Sequence, residues 1–278
     1  MSSLISIGDQ ILAGKYCLHS SFERAANFSA GGRLVCLATP EIGAGPVNIV
    51  VDGIDFSTIQ ELTISNSHIN LGNHRLPVDA DLTYHSDITA LPINQITFPA
   101  TLNRFESIFL ELAPGKSLAV LLDDRRKTFF KSGFEREFVK RLILGAICLQ
   151  NGHWRDGIAK MKGCGIGLTP AGDDFIAGML LGLNFMKNVP GLLFPAAIGE
   201  ILEISKSDNL LVQSMITLAG DGRTIEPMKN LLTALGSGNL EDINSLIRKL
   251  MAVGSTSGAD LTAGWLFMMR LIIQTEPR

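Results

Sequence analysis

One pattern occurs twice in this chain, and it limits what the chain can fold into more than any other feature. Thr169-Pro-Ala-Gly-Asp-Asp-Phe-Ile-Ala-Gly-Met-Leu180 aligns without gaps on Ser255-Thr-Ser-Gly-Ala-Asp-Leu-Thr-Ala-Gly-Trp-Leu266. The shared form is Ser/Thr-x-x-Gly-x-Asp-x-x-Ala-Gly-x-Leu. A hydroxyl residue followed by an early Asp opens a helix, because both satisfy or complement its unpaired first N–H groups. The Ala-Gly pair one turn later has side chains small enough for two helices to pack closely. The pattern therefore predicts two helices that cross at Ala177-Gly178 and Ala263-Gly264. Their N-termini would then meet, with Asp174 opposite Asp260.

The first copy is preceded by Gly163-Cys-Gly-Ile-Gly-Leu168. Gly163, Gly165 and Gly167 permit a tight loop whose backbone can approach a ligand. Thr169 is placed as the N-cap and Pro170 as the first helical residue, where its missing N–H costs nothing. Free N–H groups backed by a helix dipole make an anion site. The candidate substrate-binding residues are Gly165, Gly167, Thr169 and Gly172 of the first copy and Thr256, Ser257 and Gly258 of the second. Lys162 stands just before the loop, where its charge can meet a phosphate. Asp173, Asp174 and Asp260 are the candidate catalytic carboxylates and the candidate metal ligands. Mg²⁺ favours a few carboxylates together with substrate oxygens, and it would bridge them to a phosphate. Without a metal, three carboxylates would repel an anion. In the alternative they accept hydrogen bonds from an amide or ureido N–H. The plainer reading is capping alone, since Ser257-x-x-Asp260 also fits a capping-box pattern.

Composition closes off other classes. The 278 residues suffice for one large or two ordinary domains, and 46% hydrophobic content excludes a disordered chain. A net charge of −3 with two Trp and two Tyr offers neither the basic footprint nor the stacking platform of a nucleic-acid binder. Cys17, Cys36, Cys148 and Cys164 form no Cys-x-x-Cys pair, which suits reduced thiols in a cytoplasmic protein and gives no zinc site. Cys164 reads as a small residue in a tight loop, not a nucleophile. The N-terminus lacks a basic region and a long apolar run, so no signal peptide is expected. The most apolar segments, 175–186 and 261–273, are too short to span a bilayer, and no membrane association is expected.

Read in order, the chain predicts an α+β protein. Residues 1–104 form a β-rich domain, a small sandwich or barrel-like structure, and 105–278 a mostly helical domain carrying both motif copies. Strands are expected at Arg33–Thr39, Val47–Asp52, Leu62–Ser65 and Ile69–Leu71, with a short helix at 19–27. His68, His74 and His85 match no metal spacing. Residues 88–104, with Pro92 and Pro99, read as a linker. Residues 134–150 form an amphipathic helix with Phe138, Leu142, Ile143 and Ile147 on one face. After Thr169 helices are expected at 170–187, 195–206, 208–219, 225–235, 239–252 and 258–274.

Gly165-Ile-Gly-Leu-Thr-Pro-Ala-Gly-Asp-Asp174, paired with Gly254-Ser-Thr-Ser-Gly-Ala-Asp260, resembles the double signature of a bacterial family that includes the AllH subunit of oxamate carbamoyltransferase. The likeness extends more weakly to Ser21–Asn27 and the Gly45-Pro46 turn. It implies a subunit acting beside two others, one similar to an acyl-CoA synthetase protein. The complex would convert oxalurate and phosphate to oxamate and carbamoyl phosphate in purine (allantoin) degradation. Three functions then compete. The chain is a ligand-binding or catalytic subunit of a carbamoyltransferase-type complex, or a non-catalytic assembly subunit, or a stand-alone metal-assisted amide or ureide hydrolase.

Overall fold

The computed structural model describes residues 3–190 and 198–274. Two compact units divide it. One runs to Asp87 and takes in the returning segment Arg223–Lys229; the other begins at Ile88 and holds the remainder.

The first unit is built on one sheet. Its strands are β1 (Ser3–Gly8), β2 (Gly14–Ser21), β3 (Ala25–Ala30), β4 (Arg33–Ala38), β5 (Asn48–Asp52), β6 (Glu61–Ile64), β7 (His68–Leu71), β8 (His74–Pro77) and β9 (Thr83–Tyr84). They lie in the order β8-β7-β6-β2-β3-β4-β5-β1-β9, a half-barrel. Among the described residues only β4–β5 and β1–β9 are parallel. Tyr16, Phe28, Val35, Leu37, Ile49, Leu62 and Ile69 share its buried core. Gly31 and Gly32, at φ 55° and 78°, make the two-residue turn that joins β3 to β4.

The short helix expected at 19–27 is absent; that segment supplies the ends of β2 and β3. Ala25 to Ala30 pair residue by residue with Ala38 to Arg33, and β2 pairs along the other edge. Two flanking ladders outweigh the helix preference of Glu23, Arg24, Ala25 and Ala26. The returning segment is pinned by polar contacts within this unit. Asp9 accepts from Arg223 at 2.9 Å, from the Ser86 hydroxyl at 2.6 Å and from the Ser86 N–H at 3.0 Å. The Tyr84 hydroxyl donates to the Thr224 carbonyl at 2.9 Å.

The helical elements are α1 (Phe98–Leu112), α2 (Gly133–Gln150), α3 (Trp154–Met161), α4 (Ala171–Met186), α5 (Ile198–Ser205), α6 (Leu210–Gly220), α7 (Glu226–Ser237), α8 (Ile243–Met251) and α9 (Ser257–Gln274). From Thr169 onward the expected helices are present to within a few residues; 195–197 of the expected 195–206 lie outside the described residues. The expected linker is different: α1 starts within it. Phe98, Leu102, Phe105 and Phe109 recur at helical spacing and are buried, while Pro99 sits in the first turn, where the helix tolerates it. α2 opens on a capping box between Ser132 and Glu135 and buries Val139, Leu142, Ala146 and Leu149. Ile147, expected on that face, is exposed.

α4 is buried on every side from Gly172 to Met186, with α9 packed along it. Trp265 of α9 lies edge-on to Phe105 and Phe185, at 6.1 and 5.8 Å between ring centroids. No helix among the described residues is long and apolar enough to cross a membrane.

Candidate functional site

The two motif helices cross where the sequence places their Ala-Gly pairs. A Cβ on Gly178 would lie 2.0 Å from the Leu261 carbonyl oxygen, and one on Gly264 would lie 1.9 Å from that of Phe175. Phe175 and Leu261 hold the same position in the two copies, so each glycine admits its counterpart's backbone. The contact is therefore two-fold. The earlier motif glycines are matched as well. A Cβ on Gly172 would meet the Met161 oxygen at 1.9 Å, and one on Gly258 the Leu250 oxygen at 1.8 Å. Each lets a motif helix start against the end of the preceding helix. The repeated unit is thus helix–loop–helix, α3 into α4 and α8 into α9.

This packing brings both helix starts together. The Thr169 and Ser257 hydroxyls stand 3.4 Å apart, and the Thr169 hydroxyl donates to Asp174 Oδ2 at 3.5 Å. The helix opens one residue later than expected: Pro170 is the N-cap, and Thr169 makes no capping hydrogen bond. Asp260, fully buried, accepts the Leu118 N–H on Oδ1 at 2.6 Å, while its Oδ2 has no hydrogen-bond partner. Asp173 faces elsewhere. Both its oxygens accept the Gly163 N–H, at 3.1 and 3.0 Å, so it closes the base of the glycine loop. The Lys162 charge favours ionised Asp173.

The loop is held from several sides. A Cβ on Gly165, which has φ 141°, would fall 2.4 Å from the Ala171 nitrogen. The Asn209 amide donates to the Leu168 carbonyl at 3.1 Å. The Gly172 and Gly258 N–H groups donate to the Cys164 and Val253 carbonyls at 2.8 and 3.1 Å, so neither is free for an anion. The N–H groups from Gly165 to Thr169 find no acceptor among the described residues. Ile166 at the loop tip is 89% exposed.

Burial sets the protonation of the carboxylates. Desolvation pushes Asp174 up to about 8; repulsion from Asp260 and Asp173 adds to this, and the Ser257 and Thr169 hydroxyls oppose it. Asp260 is pushed to about 7 by desolvation, against the Leu118 N–H and the Thr256 hydroxyl. The pair therefore keeps a proton near neutral pH. Asp173 is also raised by burial, with Gly163 and Lys162 pulling the other way. Burial pushes the Cys164 thiol up, which fits a packed thiol.

Residues 161–269 match the family model of oxamate carbamoyltransferase subunit AllH, and residues 3–89 match the AllH family N-terminal domain. The chain belongs to the AllH family. No curated protein and no solved structure matches it. The glycine loop, both motif copies and all three carboxylates fall inside the C-terminal match.

Leu118 falls between the two AllH matches, and pattern reading had no way to assign it. Its backbone N–H acts, and any side chain supplies one; the only local signal is the Pro114-Gly115 break that precedes the buried turn Leu118–Leu121. Asn209 could have been noticed as the cap of α6, but its second bond to the loop could not. For a metal, Asp173 is engaged by Gly163, and among the described residues no group of three or more His, Cys, Asp or Glu is placed to hold an ion. Two carboxyls remain, one with an oxygen that is buried and has no hydrogen-bond partner. Chemically, the site offers loop N–H groups to an oxyanion and one or two protons to whatever it holds.

Proposed function

We propose that this chain is the substrate-binding subunit of a carbamoyltransferase-type complex. It holds a small oxyanion, phosphate or the phosphoryl group of carbamoyl phosphate, at the paired starts of α4 and α9. The observation that carries this reading is the convergence of the two helix N-termini on the buried carboxyl pair Asp174 and Asp260. The family description supports a subunit role, so the reaction is completed with other chains. The four thiols are free, which suits the cytoplasm.

In this reading the N–H groups of Gly165, Gly167 and Thr169, with the Ser257 hydroxyl, face the anion. Gly172 and Gly258 act through close packing, and Thr256 through the Asp260 carboxyl. Protonated Asp174 donates to the oxyanion, which removes the repulsion that three ionised carboxylates would exert. Asp173 shapes the loop with Lys162 beside it. Asp174 and Asp260 are the two carboxyls that would hold a Mg²⁺ ion, which would neutralise phosphate charge in place of the Asp174 proton; Asp173, engaged by Gly163, would not join them.

The test is thermal unfolding of the purified chain with phosphate, carbamoyl phosphate and oxalurate, each with and without Mg²⁺. A ligand at a hundred times its Kd should stabilise by about 2.7 kcal/mol. Asp174→Asn should abolish the shift. An unchanged shift in that variant would sink the assignment. Turnover by the isolated chain, lost on chelation, would favour a stand-alone hydrolase instead.

A further inference from the structure

Among the positions where the motif copies differ, the Ala171–Ser257 pair leaves an unpaired acceptor. Ser257 of the second copy reaches across to Asp174 of the first, and its hydroxyl stabilises that carboxylate. The residue aligned with Ser257 is Ala171, at the start of α4. Ala171 has no hydroxyl to return to Asp260. Asp260 Oδ1 is taken by Leu118, the nearby Thr256 hydroxyl makes no hydrogen bond to Oδ2, and Oδ2 is buried and unpartnered. A buried acceptor without a donor costs roughly 1–3 kcal/mol, more when charged, and such groups in native proteins call for an explanation. A buried carboxylate oxygen without a donor is what a ligand N–H would satisfy.

We infer that Asp260 Oδ2 is a specificity-determining acceptor for an amide or ureido N–H carried beside the oxyanion. This rests on the anion-binding reading above and adds a second contact to it. Asp174 and Asp260 then divide the work: one donates to the oxyanion, the other accepts from nitrogen. Ligands that replace the amino group by a methyl lose the second contact and leave Oδ2 unpaired. Rejection by an unpaired buried group is steeper than rejection by a lost apolar contact.

Carbamoyl phosphate and acetyl phosphate make the direct probe, since they differ in N–H₂ against CH₃ at matched size. Binding is measured by titration calorimetry in the cold, with inorganic phosphate as the reference for the oxyanion. The wild-type chain should bind carbamoyl phosphate about ten-fold tighter than acetyl phosphate, the worth of one charge-assisted hydrogen bond. Asp260→Asn keeps an oxygen for Leu118 and turns the other atom into a donor. It should erase the preference while phosphate binding persists. Ala171→Ser, which introduces the missing hydroxyl, should narrow the preference and raise the melting temperature of the ligand-free chain, and it serves if Asp260→Asn does not fold. Equal affinity for the two acyl phosphates in the wild type overturns this inference alone. So does a preference that survives in Asp260→Asn or, where that variant does not fold, one that is undiminished in Ala171→Ser. Absence of binding by all three phosphoryl ligands overturns the anion-binding reading and this one with it.

Discussion

The α3–α4 and α8–α9 copies of the repeated unit meet the same packing demand and differ in what surrounds the helix start. Both place a glycine against the end of the preceding helix and another against the partner helix, all with a hypothetical Cβ within 2.0 Å of a carbonyl oxygen. The first copy then has a glycine-rich loop from Lys162 to Pro170, tied at its base by Asp173 and exposed at Ile166. The second has only Ala252 to Thr256 before its helix, with Ala259 where the first has Asp173. Its Asp260 is instead held by the Leu118 turn. The shared glycines therefore serve the helix crossing, and the residues that differ set what surrounds each helix start. A purely structural repeat would not need the long loop, the extra aspartate or the asymmetry at Ala171 and Ser257.

The largest effect should come from breaking what the copies share. Gly178→Ala and Gly264→Ala each force a methyl into a backbone carbonyl, and each should cost more than about 3 kcal/mol in urea unfolding. Equal losses in the two would support the two-fold contact, and a mild effect in either would refute it.

The carboxyl pair should make stability depend on pH. Folded pKa values raised above the ordinary carboxylate range mean that the folded state binds protons more tightly. The contribution is fully present below about pH 4 and is lost as pH rises through about 7 to 8, the values reached by Asp260 and Asp174. Asp174→Asn should therefore melt higher than wild type at pH 8, by roughly 2 kcal/mol or more, since one pKa unit is worth about 1.4 kcal/mol. At pH 4 the difference should vanish. A parallel pH profile in the two proteins would show that Asp174 is ionised throughout.

Asp173→Asn sharpens the contrast between the neighbouring aspartates. Weakening both acceptors of the Gly163 N–H should cost about 1–2 kcal/mol and speed hydrogen exchange at Gly163. Its ligand affinity should fall less than that of Asp174→Asn. Smallest of all, Ile166→Ser at the exposed loop tip should change stability by no more than about 0.5 kcal/mol, as surface changes do. A larger loss would mean the tip is packed in solution, against its exposure here.

Much of the helical unit was legible because its signals are local. Capping residues, the Ala-Gly pairs and helical periodicity after Thr169 all act within a turn or two, and a repeated pattern implies a repeated contact. The sequence alone determined that Thr169–Leu180 and Ser255–Leu266 are helix starts, that they cross at glycine, and that Asp174 and Asp260 belong together. It also determined the β character of Arg33–Ala38 and Asn48–Asp52, where short apolar runs, Leu34 to Ala38 and Ile49 to Val51, go unbroken. Other features depended on partners far along the chain. Residues 19–27 became strand ends because ladders form on both sides, and 88–104 entered a helix because its Phe and Leu side chains found a core. Which aspartate turns toward the other motif copy, and which is spent on Gly163, was decided only in three dimensions. So was the fate of the Gly172 and Gly258 N–H groups, and so was the pairing of Asp260 with Leu118. A hydrogen bond to a backbone N–H leaves no mark on the donor's side chain, so only the tertiary structure could show it.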